Sequence, residues 1–410
     1  MTPALPTRGN LDGIRVLDLT HEPGFLAGKL LAELGADVVK VEPPGGDPVR
    51  RRPPFRDGIV DPDRSLVWLA LNTSKRGLTL ALDRPRGREL FLRLVARADV
   101  VVDTPAAHAV GWDELRRQNP RLVHVVVTPF GEDGPYARWR GSDLTAVATS
   151  GNLFSTGDPD RAPVRCTMPV SHYHGGIEAA VAVVFALLAR ERTGEGQHVD
   201  VALQEAMVMP NIGTAAMYAM TGNRGARAGA FMRQERSVMR EIWPCQDGFV
   251  SFALRGGPAR IPGLVAMVRY MDEHGMASAA LKAIDWTRYN HNLLTQEQVD
   301  ALSAEFGAFF QTKSMGELYQ AACERNLMLA PINDAREIVA SRQLAARGFF
   351  VDIDDPGGPL RHPGAFAISN ATRIGIRRPA PRLGEHTAEV LAEIGVDAAA
   401  LARLRAEGIV

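Results

Sequence analysis

Residues 14–42 alternate in a way that few folds accommodate. Ile14–Leu19 (I-R-V-L-D-L) is a short β-type run. Leu26–Leu34 carries apolar side chains at 26, 30, 31 and 34 and stops at Gly35. Ala36–Glu42 (A-D-V-V-K-V-E) is β-type again. Apolar spacing of three and four marks one face of a helix. A strand, a helix and a strand in so short a stretch form a βαβ unit, whose strands have to lie parallel. The alternation continues with a strand at Leu78–Leu82, a helix at Gly87–Ala98, a strand at Val100–Val102, a helix at Trp112–Gln118 and a strand at Val123–Thr128. A long apolar helix, Gly175–Arg190, then leads through the turn Thr193–Gly196 into a strand at His198–Ala202. This order predicts an open α/β sheet with helices on both faces.

A chain of 410 residues exceeds one average core, so two domains are expected. The Gly-rich loop Thr221–Gly229 is a boundary, which puts the first domain at 1–220. Weaker alternation and more amphipathic helix then predict a smaller domain at 221–330, and 331–410 returns to short strands and helices. The formal net charge is zero, which gives no electrostatic case for nucleic acid or an anionic membrane. No run of 18 uninterrupted apolar residues suggests a membrane span, and the start of the chain has no signal-peptide core. Cys166, Cys245 and Cys323 have no C-x-x-C spacing, so neither a disulfide framework nor a metal site is expected, and a cytoplasmic location fits.

Several stretches together resemble one family. Leu11-Asp12-Gly13 leads into V-L-D-L-T and then L-A-E-L-G-A-D-V-V-K-V-E-P-P-G-G-D-P. L-N-T-S-K-R-G-L-T-L follows at 71–80, N-P-R-L-V at 119–123 and G-E-D-G-P-Y at 131–136. R-E-R-T-G-E-G-Q-H-V-D-V-A-L-Q-E-A stands at 190–206 and L-G-E-H-T-A-E-V-L-A-E-I-G at 383–395. In order and extent these resemble the family III coenzyme A transferases, the CaiB/BaiF group typified by formyl-CoA transferase and carnitine CoA-transferase. The resemblance implies a large Rossmann-like domain built from both chain ends, a smaller α+β domain between them, and an interlocked homodimer. It also implies CoA and acyl-CoA as substrates, with no permanently bound cofactor, and a small carboxylic acid as the other reactant.

One position departs from the family. In Pro169-Val170-Ser171-His172-Tyr173-His174-Gly175-Gly176, the resemblance puts the nucleophilic aspartate where this chain has His172. A carboxylate forms a mixed anhydride with an acyl group; an imidazole cannot, although it forms an acyl-imidazole and serves as a general base near neutral pH. The nearest carboxylates in sequence, Asp160 and Glu178, do not match the motif position. His174 is a possible polar partner or a solvent-facing residue. His172 is expected at the entry to a helix beginning near Gly175. Asp143 matches an acidic position that lines the family's site, or is a helix N-cap. The related α-methylacyl-CoA racemases carry a histidine just before that aspartate; here it is Ser142, which argues against racemisation. For the nucleotide, Asn72, Thr73, Ser74, Lys75 and Arg76 match the family's adenine and phosphate segment, and Arg140 a CoA-contacting position. Gly225 and Gly229 match a mobile loop over the intermediate. Arg50–Arg52 reads as a solvated charge run, and Val102–Ala107 as an eroded CoA-contacting segment. The leading expectation is transfer of CoA between an acyl-CoA and a carboxylic acid. The alternatives are a non-catalytic subunit partnered by an aspartate-bearing paralogue, and a His172-dependent acyl-CoA hydrolase, lyase or isomerase.

Overall fold

Six strands form one parallel sheet: β1 (Arg15–Asp18), β2 (Asp37–Glu42), β3 (Arg76–Thr79), β4 (Val100–Asp103), β5 (Val123–Thr128) and β6 (Gln197–Ala202). Their order is β3-β2-β1-β4-β5-β6. The chain runs outward from β1 to β3, then returns to the other side of β1 with β4. The structure, a computed structural model, describes residues 8–104, 110–355 and 357–410. Residues 105–107 of the eroded stretch Val102–Ala107 lie outside those described.

Alternation along the strands sorts the core into two layers. Val16, Val38, Val100, Val123 and Val125 meet Ala27 and Leu31 of the helix Phe25–Glu33 and Ala179, Val183 and Ala186 of the helix Val170–Thr193. Their sequence neighbours Leu17, Val39 and Val101, with Leu78 of β3, meet Leu90 and Phe91 of the helix Pro85–Val95. That second layer also holds Val390 and Leu391 of Thr387–Ala392 and Leu401 and Leu404 of Ala398–Ala406. A period of two on a sheet covered on both faces produces this division. Each large aliphatic side chain so buried contributes about 1.5–3 kcal/mol.

The chain divides into two compact units, 1–152 with 166–219 and 342–410, and 153–165 with 220–341. The expected division at 330 moves to 341 because Leu329–Pro331 pairs antiparallel with Phe249–Phe252. Ile242–Pro244 flanks the other side of that strand. Trp243, Phe252, Phe306, Phe309 and Phe310 fill the second unit's core, and Trp243 Nε1 donates to the Phe252 carbonyl at 2.7 Å.

Three local expectations change. β3 spans Arg76–Thr79 rather than 78–82, because Arg76 pairs with Val39 of β2. The long helix starts at Val170, not near Gly175, with Pro169 before it and Ser171 donating from both N and Oγ to Asp143 Oδ1. Gly175 and Gly176 therefore lie inside the helix: a Cβ on Gly176 would stand 2.9 Å from Leu26 Cβ, and one on Gly175 would stand 2.2 Å from Leu203 Cδ2. Asp143 is not an N-cap. Ser142 caps its helix in a capping box with Thr145. Among the described residues, Val170–Thr193 is the one helix long and apolar enough to cross a membrane, yet its Ala179, Val183 and Ala186 sit in the core of the sheet.

Candidate active site

The strand order reverses between β1 and β4, and there the carboxyl ends of parallel strands splay into a crevice. Asp18, the last residue of β1, organises its rim. It accepts from Thr20 N at 2.9 Å, Thr20 Oγ1 at 2.6 Å and Lys75 Nζ at 2.7 Å. Burial works against its charge, but Lys75 and Lys40 outweigh that and hold its carboxyl below the usual range. Lys40 Nζ donates to the Thr20 carbonyl at 2.7 Å. The turn after β1 is thus fixed, and it presents His21 and Glu22. His21 Nδ1 meets Asp47 Oδ2 at 2.6 Å, while Asp47 Oδ1 accepts from Val49 N at 2.8 Å. The Asp47 pKa is lowered: burial opposes its charge, and the His21 bond, the Lys40 charge and the Val49 N–H prevail.

A cavity of about 820 Å³ opens on this rim. His21, Glu22, Asp47, Thr104, Thr128, Arg138, Arg140, Ser142 and His172 are among its lining residues. His172 is in the first turn of the long helix, with Nδ1 buried and without a hydrogen-bond partner, 4.0 Å from Glu22 Oε1. That separation is too long for a hydrogen bond. Burial lowers the His172 pKa, against the pull of Glu22 and Asp143 and with the help of Arg52, so the ring is neutral at pH 7. Glu22 Oε2 is paired with Arg52 Nη1.

The structure brings His172 and Arg140 to this cavity, with Asp143 holding the helix start beside it through Ser171. It does not bring the side chains of residues 72–76 there. Asn72 and Thr73 are wholly buried; Asn72 bonds the Trp68 carbonyl and Lys75, and Thr73 donates to Glu33. Ser74 Oγ accepts from Arg377 N. Lys75, also wholly buried, spends its three donors on Asp18, Asn72 Oδ1 and the Phe25 carbonyl. Burial pulls its pKa down to about 8 while Asp18 keeps it protonated at neutral pH. Arg76 is claimed by Asp37, Glu389 and Glu393. These side-chain contacts tie β3 to its surroundings. Arg50 is likewise not solvated: it is buried, bonded to Glu42 and Asp63 and stacked 3.6 Å from the Trp68 ring. Gly225 and Gly229 belong to the second unit, both at positive φ, and a Cβ on Gly229 would meet Asp158 Oδ1 at 2.1 Å. Glu22, His21 and Asp47 were not singled out by sequence reasoning. Their signal is positional: they follow the first strands of a sheet whose order reverses.

A second cavity, of about 600 Å³, lies over the ends of β1, β2 and β3 and is lined by Leu19, Lys40, Glu42, Leu80, Arg84 and Arg88, among others. It shares His21 and Asp47 with the first. Two adjoining compartments thus lie at the switch point of a doubly wound 3-2-1-4-5-6 sheet, where α/β folds of this class take their ligands. Residues 11–387 match the model of CoA-transferase family III, and the chain belongs to that family. It is 34% identical over 396 residues to the succinyl-CoA:(R)-benzylsuccinate CoA-transferase subunit BbsE of Thauera aromatica, covering 94% of each chain. It is 33% identical to the succinate–glutarate CoA-transferase of Agrobacterium fabrum, over 94% of this chain and 95% of the relative. A solved CaiB/BaiF family protein from Brucella suis superposes with a TM-score of 0.80 at 28% identity, over 95% of this chain and 100% of that one.

Proposed function

We propose that this chain binds an acyl-CoA in the paired cavities and transfers CoA to a carboxylic acid. The observation that carries this reading is the adjoining of two cavities through His21 and Asp47. A CoA thioester is long, with a charged nucleotide at one end and a reacting carbonyl at the other. The nucleotide belongs over β1–β3, near Arg84, and the thioester in the larger cavity beside Glu22 and His172. Arg138 and Arg140 line that cavity and suit the carboxylate of an acid or the phosphates of the nucleotide. No permanent cofactor enters this scheme.

Association with a second copy is part of the proposal. Ile177, Val181, Phe185 and Leu188 form an exposed apolar stripe on the long helix, and such a stripe marks an interaction face. Three free cysteines fit a reducing cytoplasm. The second reading, a non-catalytic subunit beside an aspartate-bearing paralogue, is favoured by His172 at the family's nucleophile position. One assay separates them. The purified chain is mixed with a panel of acyl-CoA thioesters and free acids, and new thioesters are followed by mass spectrometry. Transfer by the chain alone supports the first reading; transfer that begins only when such a paralogue is added replaces it with the second.

A further inference from the structure

The carboxylates along the larger cavity differ in what they have left to give. Asp47 has both oxygens committed, Oδ2 to His21 and Oδ1 to Val49 N. Asp143 stands behind the helix start with Oδ1 taken twice by Ser171. Glu22 lines the cavity and has Oε2 paired with Arg52. Its Oε1 lies 4.0 Å from the unpartnered Nδ1 of His172. We propose that Glu22 is the nucleophilic carboxylate of this chain, attacking the acyl-CoA carbonyl with Oε1 from beside His172. The inference rests on the CoA-transfer reading and assigns its chemistry.

The local chemistry suits the role. Arg52 fixes one oxygen of the carboxylate, which leaves the other to react. His172 is neutral and adds no second cation to blunt it. Glu22 opens the short turn Glu22–Gly24 ahead of the helix Phe25–Glu33, on a rim braced by Asp18, Lys75 and Lys40, so its backbone is held rigidly.

The steps balance without an added oxidant or proton. Glu22 Oε1 gives an electron pair to the thioester carbon; the C–O bond forms, the C–S bond breaks, and CoA leaves as thiolate. The thiolate attacks the Glu22 carbonyl of the resulting anhydride, expels the first acid as carboxylate and leaves Glu22 as a CoA thioester. The second carboxylate attacks that thioester and releases thiolate again. The thiolate then attacks the new acyl carbonyl, giving the new acyl-CoA and free Glu22.

The test traps the intermediate. The full chain is incubated with succinyl-CoA, a free acid and hydroxylamine, then digested with trypsin. Cleavage after Arg15 and Lys29 isolates Val16–Lys29, whose only carboxylate side chains are Asp18 and Glu22. Fragmentation distinguishes the two. The expected result is a hydroxamate on Glu22 that requires succinyl-CoA, with exchange at least a hundredfold slower in Glu22→Gln and partly retained in Glu22→Asp. Exchange by the wild-type chain without a Glu22 hydroxamate, or near-wild-type exchange in Glu22→Gln, overturns the assignment and leaves the transfer reading standing. Absence of both exchange and hydroxamate in the wild-type chain overturns both. Because the label is read in the unmodified protein, a variant that fails to fold does not remove the test.

Discussion

His172, which the sequence resemblance sets against the family's aspartate, lines the larger cavity with its Nδ1 buried. Its neutral form is favoured by burial, so its folded pKa lies below that of an unfolded imidazole, about 6.5. As pH falls, the unfolded chain takes up that proton first. Stability from this residue is therefore full above about pH 6.5 and is lost as pH falls from there towards the folded pKa. Urea midpoints at neutral and mildly acidic pH should show a steeper loss in the wild type than in His172→Asn. Lys75 offers a second prediction. Its donors are spent on Asp18, Asn72 and the Phe25 carbonyl, so Lys75→Met removes the closer cation from a buried carboxylate and leaves only Lys40, 3.8 Å away. A loss of about 3–5 kcal/mol is expected in chemical denaturation, and Asp18→Asn combined with Lys75→Met should recover part of it.

At the scale of elements, the long helix Val170–Thr193 carries the site and packs closest where its glycines are. Gly176→Val brings side-chain atoms against Leu26 and the Ala27 backbone nitrogen, 3.3 Å from an added Cβ. A loss of about 1–3 kcal/mol is expected from such overpacking, read as a lowered denaturation midpoint. The same helix shows where sequence was legible. The strand at Val123–Thr128 and the helix at Trp112–Gln118 fall where their patterns put them: one is a β-branched run buried throughout, the other has acidic residues in its first turn and basic ones in its last. The start of the long helix was misplaced because Gly175-Gly176 resembles an entry, while its true opening depends on Asp143, distant in sequence. Residues 72–76 carry the family motif, but a motif does not say whether its side chains turn outward. Burial and the distant partners Asp18, Glu389 and Glu393 decide that. Glu22 was illegible for the same reason: its neighbours Arg52 and His172 are remote along the chain.

Across the whole molecule, a doubly wound sheet supplies a switch-point crevice, and the long helix leaves an apolar stripe uncovered. If that stripe joins two copies, Phe185→Asp should shift the chain towards monomer in light scattering while leaving its secondary structure intact by circular dichroism. In the proposed scheme the chain alone moves CoA between acids, with Glu22 as its carboxylate. The most direct measurement is the exchange of isotopically labelled succinate into succinyl-CoA by the purified chain. Label is expected in the thioester with the chain alone, and none with a Glu22→Gln variant that still binds CoA. No label until an aspartate-bearing paralogue is added would contradict it.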